Sequence, residues 1–340
     1  MRRNFIFYIT LLMLLAGACK KIDVTEDNHT SDIRSVGDFV RNNYDLSLLN
    51  AALQKTGFLD SLNAEGPFTL WAPDNTAFNN IGIMKPEDFN GMNADSLRTS
   101  LKNLVIKDRL YIANLPTQLD SRYPCLGGMQ CYLSVGVIGT NPDAFPVTFN
   151  GSWIYDAPKR NLAMKNGVIH IMKAVPKYRE QSTQDFLAAD TSLSLFVVLL
   201  KKTNQWDTLK TAGPFTIYAP VNAAFLNYNL TADSINKLDV SRYNPLAFNI
   251  YTLGLKPHHI LMGDFGVIGA YSEKLNLGSG YTMNPGFSFT LWAPNGQWGY
   301  HGPNTVTIAD GAKGQDIMVT NGVINHLNNI LLYPDSLLIK

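Results

Sequence analysis

The chain has 340 residues, too many for one typical core, and its length argues for about two domains of roughly 150 residues each. Hydrophobic residues make up 46% of it, enough for packed interiors, and 28 basic against 27 acidic side chains leave a formal charge of +1. Basic and acidic residues are interspersed without a long basic run, which leaves no electrostatic case for nucleic acid as a partner.

Arg2 and Arg3 precede an apolar run from Phe5 to Ala16, and Gly17 and Ala18 then lead into Cys19. That is the layout of a secretory signal over residues 1–18. The run is short for a membrane span, which needs about 20 apolar residues. A Cys directly after small residues at the end of an apolar region resembles the bacterial lipoprotein processing site, where the thiol is diacylated and becomes the mature N-terminus. Ala16 stands where a Leu is usual, with Leu15 one step earlier. The resemblance implies lipidation of Cys19, an exported cell-envelope protein, and an outer-membrane lipoprotein held to the membrane through its N-terminal lipid. An ordinary signal peptide with an incidental Cys, or an uncleaved anchor, is the alternative. Residues 19–33 are polar and without period, and read as a flexible tether.

From Gly37 onward the chain repeats itself. At a constant offset of 147, Gly37 to Phe78 shows 19 identities in 42 positions with no gap, ending in GPFTLWAPDNTAF from Gly66 and GPFTIYAPVNAAF from Gly213. NGVIHIM from Asn166 returns as NGVINHL from Asn321 at an offset of 155, so eight extra residues lie in the middle of the second copy, where loops accept insertions. Units of this size are whole domains. We place them at residues 34–178 and 182–336, with the polar stretch VPKYREQS from Val175 as the junction.

Within a unit, Val36, Phe39 and Val40, then Leu46, Leu48, Leu49, Ala52 and Leu53, fall at spacings of three and four and predict a short helix and a longer one. Asp38 and Asp45 suit first turns. GPF then opens a strand in which Phe68, Leu70 and Ala72 point one way and Thr69 and Trp71 the other. Asp74, Asn75 and Thr76 are natural caps for a short helix carrying Ala77 and Phe78. NGVIHIM predicts a second strand entered through an Asn-Gly turn. Helices followed by strands make each unit α+β.

These residues resemble the fasciclin family of secreted and cell-surface domains. The first family signature is met at Thr69, Trp71, Ala72, Pro73, Asn75, Ala77 and Phe78, and again at Thr216, Ala219, Pro220, Asn222, Ala224 and Phe225. The second is met at Asn166, Gly167, Val168, Ile169 and His170, continuing to Ile171, and at Asn321, Gly322, Val323 and Ile324. The resemblance covers roughly residues 34–336. It implies two tandem domains, each a wedge made of a curled sheet or β-sandwich with a helical layer, offering surfaces and not a reaction pocket. Val221 replaces the acid of the signature that Asp74 keeps, and the family's Tyr-His adhesion pair is absent, with Asn103 and Asn249 nearest the His position.

The side chains suited to chemistry do not converge in the sequence. His29, His170, His258, His259, His301 and His326 fall in no metal-ligand spacing, His258 and His259 being adjacent, and His170 reads as a structural histidine on its strand. No catalytic pair, metal or cofactor is expected, and GSGYTMNPG from Gly278 reads as a hairpin tip and not a phosphate loop. Cys125 and Cys131, flanking a Gly-containing turn in an exported chain, suit a local disulfide, with two free thiols the alternative. Tyr281, Trp292, Trp298 and Tyr300 lie among Gly and Asn residues of the second copy. They suit stacking on sugar rings, or else alternate into the core and cover a loop. The expectation is therefore a non-catalytic, lipid-anchored protein that mediates adhesion or matrix and surface contacts, its partner a cell-surface or matrix protein or a polysaccharide. The alternative is an accessory polysaccharide-binding lipoprotein that uses this aromatic loop.

Overall fold

The Ser35 hydroxyl accepts a hydrogen bond from the Asp38 amide and starts a helix over Val36–Arg41, the short helix expected from the spacing. The longer one is Ser47–Lys55, burying Leu48, Leu49, Ala52 and Leu53. Leu46 closes a separate single turn, Tyr44–Leu46, so the apolar stripe that begins there spans two elements. The same order recurs as Thr183–Ala189, Thr191–Leu193 and Ser194–Lys202. In this computed structural model the described residues are 33–136, 145–255, 259–267, 275–278, 281–284, 290–292, 306–333 and 337–339. Residues 35–340 cluster as one unit.

The first half contributes β1 (Phe68–Pro73), β2 (Val105–Ile106), β3 (Ser121–Pro124), β4 (Gln130–Val135), β5 (Val147–Phe149), β6 (Ser152–Trp153), β7 (Leu162–Met164) and β8 (Gly167–Met172). The rest of the chain adds β9 (Lys177–Tyr178), β10 (Phe215–Pro220), β11 (Leu275–Gly278), β12 (Tyr281–Asn284), β13 (Thr290–Trp292), β14 (Ile317–Val319) and β15 (Gly322–Leu327). They form sheets in the orders β2-β1-β8-β7, β3-β4-β5-β6, β10-β15-β14-β9 and β11-β12-β13. Mixed helices and sheets make the fold α+β.

The two repeated motifs of each copy become neighbours. β1 pairs with β8 in parallel from Phe68↔Gly167 to Pro73↔Met172, and β10 pairs with β15 at the same register, from Phe215↔Gly322 to Pro220↔Leu327. All six residues of β1, and all six of β10, are buried. The alternation of faces expected for Phe68–Ala72 therefore separates two covered faces, as parallel strands at a sheet centre require. One face of β1 meets the helical layer. On the other, Trp71 stacks between Phe149 and His170, at ring-centroid distances of 4.9 and 4.5 Å.

The halves differ around this shared centre. In the first, β3 to β6 form a second four-stranded sheet; in the second, β11, β12 and β13 form a three-stranded antiparallel sheet. The segment 250–255 packs against β10. β9, at the polar junction, pairs with β14 through Ile317↔Lys177 and Met318↔Tyr178.

Candidate functional site

The signature side chains converge inside each half, and the Asn and Thr among them hold parts of the backbone together. The Asn166 Oδ1 accepts from the Val36 amide at 2.9 Å, while its Nδ2 donates to the carbonyls of Leu62 at 2.9 Å and Ala64 at 2.7 Å. Asn321 repeats this: Oδ1 accepts from the Thr183 amide at 2.7 Å, and Nδ2 donates to Leu209 at 3.0 Å and Thr211 at 2.7 Å. Each Asn thereby ties the turn before β8 or β15 to the first helix and to the loop ahead of β1 or β10.

Asn75 and Asn222 do the same for the second helix. Asn75 accepts from the Leu48 amide at 3.0 Å and donates to the Tyr44 carbonyl at 2.9 Å; Asn222 accepts from Leu195 at 2.9 Å and donates to Thr191 at 2.9 Å. These contacts satisfy amides at a helix start that have no partner within the helix. The Thr69 hydroxyl donates to the Asp108 carbonyl and accepts from the Leu110 amide, and Thr216 accepts from the Ile260 amide. Ala72, Pro73, Ala219 and Pro220 end β1 and β10, and Ala77, Phe78, Ala224 and Phe225 are buried on the following helices. A side chain on Gly167 or Gly322 would run into the Phe68 or Phe215 carbonyl, which explains the glycine at each position. Val168, Ile169, Val323 and Ile324 fill the core. Asp74 caps its helix by accepting from the Ala77 amide at 2.8 Å, whereas Val221 makes no side-chain cap.

His170 is fully buried, accepts the Asn161 amide at Nδ1 and contacts the Leu110 carbonyl through Nε2 at 2.9 Å. Burial pulls its pKa down to about 4, so the ring is neutral near pH 7. Its counterpart in the register of the second half is Asn325, paired with Tyr218 where His170 pairs with Trp71. Asn103, nearest the family's His position, caps a helix end and is buried; Asn249 ends a short helix and is exposed.

Cys125 and Cys131 are buried free thiols, so the disulfide expected from their spacing is unformed here. Cys131 lies opposite Tyr123 in the β3–β4 pair, which makes the two cysteines diagonal neighbours and not a directly facing pair. They are still in contact, and burial followed by the Cys125 thiol holds the Cys131 thiol well above its ordinary range. Of the aromatic group, Tyr281 begins β12 and Trp292 ends β13, on paired strands whose register sets Trp292 opposite Thr282. Trp298 and Tyr300 lie outside the described residues, as do Cys19, His29, His258 and His301. An apolar cavity lined by Leu199, Phe225, Ile235, Phe248, Tyr251 and Ile330 has a volume of about 30 Å³. Ligand pockets usually hold roughly 300–1,000 Å³.

Sequence reasoning missed a polar seam between the halves. Asp264, on the short helix Asp264–Val267, accepts from the Thr148 hydroxyl of β5 at 3.0 Å and from the Leu261 amide at 3.2 Å. Asp316 accepts from the Met262 amide at 2.8 Å, and the Tyr178 hydroxyl meets Asn150 and donates to the Asn103 carbonyl. His259 stacks on Tyr132 of β4 and approaches Asp120 at 3.2 Å. These residues lie outside the segments in which the two copies match, so periodicity and self-similarity carry no trace of them.

An α+β unit whose repeated side chains serve as internal staples is the class of domain this geometry defines. The fasciclin-domain family model matches residues 44–175. That segment belongs to the fasciclin domain family, and its sequence pattern returns in the second half. Human periostin is similar, 27% identical over 202 residues that make up 58% of this chain and 22% of periostin. The chain thus spans about a fifth of that curated relative's length. Among solved structures, a FAS1 domain pair from the insect cell adhesion molecule fasciclin I is 18% identical; the match covers 86% of this chain and 98% of that one, with a TM-score of 0.38.

Proposed function

We propose that the chain is a non-catalytic, lipid-anchored cell-envelope protein that uses two fasciclin-like domains, residues 34–178 and 182–336, for adhesion or for contacts with matrix and surface molecules. The observation that carries this reading is the role of the signature residues. Asn75, Asn166, Asn222 and Asn321 spend their hydrogen-bonding groups on backbone inside each domain, which builds a rigid scaffold and leaves recognition to the outer surface. Family membership supports it as well, since fasciclin domains typically serve in cell adhesion or surface interaction. Cys19 is the proposed lipid attachment site, residues 1–18 the signal peptide, and residues 19–33 the tether that frees the domains from an outer membrane.

A second reading is an accessory polysaccharide-binding protein, for which two of the four candidate aromatic positions, Tyr281 and Trp292, lie on paired strands of one small sheet, one residue out of register. A single array of immobilised matrix proteins and polysaccharides, probed with the full chain, separates the readings. Binding to proteins supports the first. Binding to a sugar class that Trp298→Ala abolishes supports the second, and binding to neither removes both. The anchor is tested apart from these: labelled palmitate enters the wild-type chain and not Cys19→Ser, and an unlabelled wild type ends that part of the proposal.

A further inference from the structure

The seam between the halves brings together several buried polar groups from both. From the first half come Asp120, Ser134 of β4, Thr148 of β5 and the Asn150-Gly151 turn. From the second come the segment 259–267 and Asp316, with Lys177 of β9 between them. Leu261, Met318 and Val323 form a small apolar cluster there with Tyr132 and Tyr178. The backbones also approach closely. A Cβ on Gly136 would meet the Val267 carbonyl, and one on Gly263 would meet the Gly151 carbonyl, so the halves are fitted against each other with no room to slide.

We propose that this seam is a proton-dependent lock, holding the two domains most firmly when the Asp264 carboxyl is protonated and loosening as it ionises. The geometry accommodates both forms. Thr148 and Ser134 present hydroxyls to the carboxyl, and a hydroxyl either donates to a carboxylate or accepts from a carboxylic acid. The Leu261 amide keeps its acceptor in either state. What differs is the cost of burying charge, because water does not reach this group.

The surroundings add to that cost. Asp316 faces Asp264 from the adjoining turn and is itself buried, and the Tyr218 hydroxyl lies near both acids. Lys177 and His259 lie nearer Asp316, with Arg179 beside Lys177. On the first-half side Asp120 faces His259, and Arg122 lies over the Tyr132 ring. Burial, with a smaller push from Asp316, raises the Asp264 pKa from 3.8 to about 6 and outweighs the bonds from Ser134, Thr148 and Leu261. The docked state therefore takes up a proton that the opened state releases. Its added stability is fully present below about pH 3.8 and is lost as pH rises through about 6. With those two values, opening becomes about tenfold more frequent between pH 5 and pH 7.5.

Amide hydrogen exchange on the full chain tests this, because Leu261 and Met262 donate to the two acids. After correction for intrinsic rates, protection of residues 259–267 should fall about tenfold from pH 5 to 7.5 while that of Ser47–Lys55 stays constant. Asp264→Asn should remove the fall. Constant protection in the wild type overturns the proposal, as does a fall that persists in Asp264→Asn or one that disappears in His259→Asn. If Asp264→Asn does not fold, ¹³C-carboxyl titration of the wild type decides: a midpoint near 6 is expected for Asp264, and one near 3.8 overturns the lock.

Discussion

Replacing Asn166 by Ala removes three hydrogen bonds at once. It leaves the buried Val36 amide and the carbonyls of Leu62 and Ala64 without this partner. Each bond contributes about 1 kcal/mol net, and water reaches part of this half-buried site, so the loss should be about 2 kcal/mol. Asn321→Ala deletes the matching set, including a further bond from the Thr183 hydroxyl at 2.8 Å, and should lose at least as much. Asn166→Asp is the sharper variant. It keeps an acceptor for Val36 but turns a carboxylate toward two carbonyls that need a donor, so it should be no better than Ala. Urea unfolding followed by circular dichroism reads all three. If Asn166→Ala loses less than about 0.5 kcal/mol, or Asn166→Asp restores wild-type stability, the staple is not what holds the helix to the turn.

The histidine in the first core gives a pH signature of opposite sign to the seam. Because burial lowers the His170 pKa to about 4, the native state excludes a proton that the unfolded chain binds. Stability from this residue is therefore lost as pH falls from about 6.5 to 4, by about 3 kcal/mol in total. His170→Asn, which installs the residue found at the matching position of the second half, should flatten the difference in stability between pH 7 and pH 4.5, and an unchanged slope would remove His170 as the cause. The buried thiols make a further prediction. Cys125 and Cys131 should resist an aromatic disulfide reagent in the folded chain and react on unfolding. Unfolded chain refolded under a glutathione redox pair should lose two hydrogens by mass as the contacting thiols join, and Cys125→Ser should prevent this. Fast reaction of both thiols in the native chain would contradict their placement.

The repeat made much of this scaffold legible. Asn166 and Asn321, or Asn75 and Asn222, recur because the same backbone groups need the same partner in each half, and a side chain with one donor and one acceptor arm is hard to replace there. Helix starts were legible for a similar local reason, as with Asp38 in a first turn and Asp74 as a cap. The burial of Trp71 was not. Alternation separates the faces of a strand, but only the parallel neighbour β8 and the sheet containing Phe149 decide that both are covered. The polar stretch from Val175 gave no sign that Lys177–Tyr178 pairs with β14, far along the chain, since two residues carry no period. Asp264 and Thr148 met the same obstacle, each unremarkable until the fold sets them 3.0 Å apart. The cysteine spacing showed proximity without register, and register is what makes them diagonal.

Adhesion is the claim on which the functional account rests, and it is read most directly on cells. Cells displaying the full chain, with Cys19 intact, should be retained on surfaces coated with matrix protein or polysaccharide above the level of cells lacking it. Cys19→Ser should reduce that retention by releasing the chain from the membrane. Equal retention with and without the displayed chain, across all coatings, would contradict an adhesive role for the two domains.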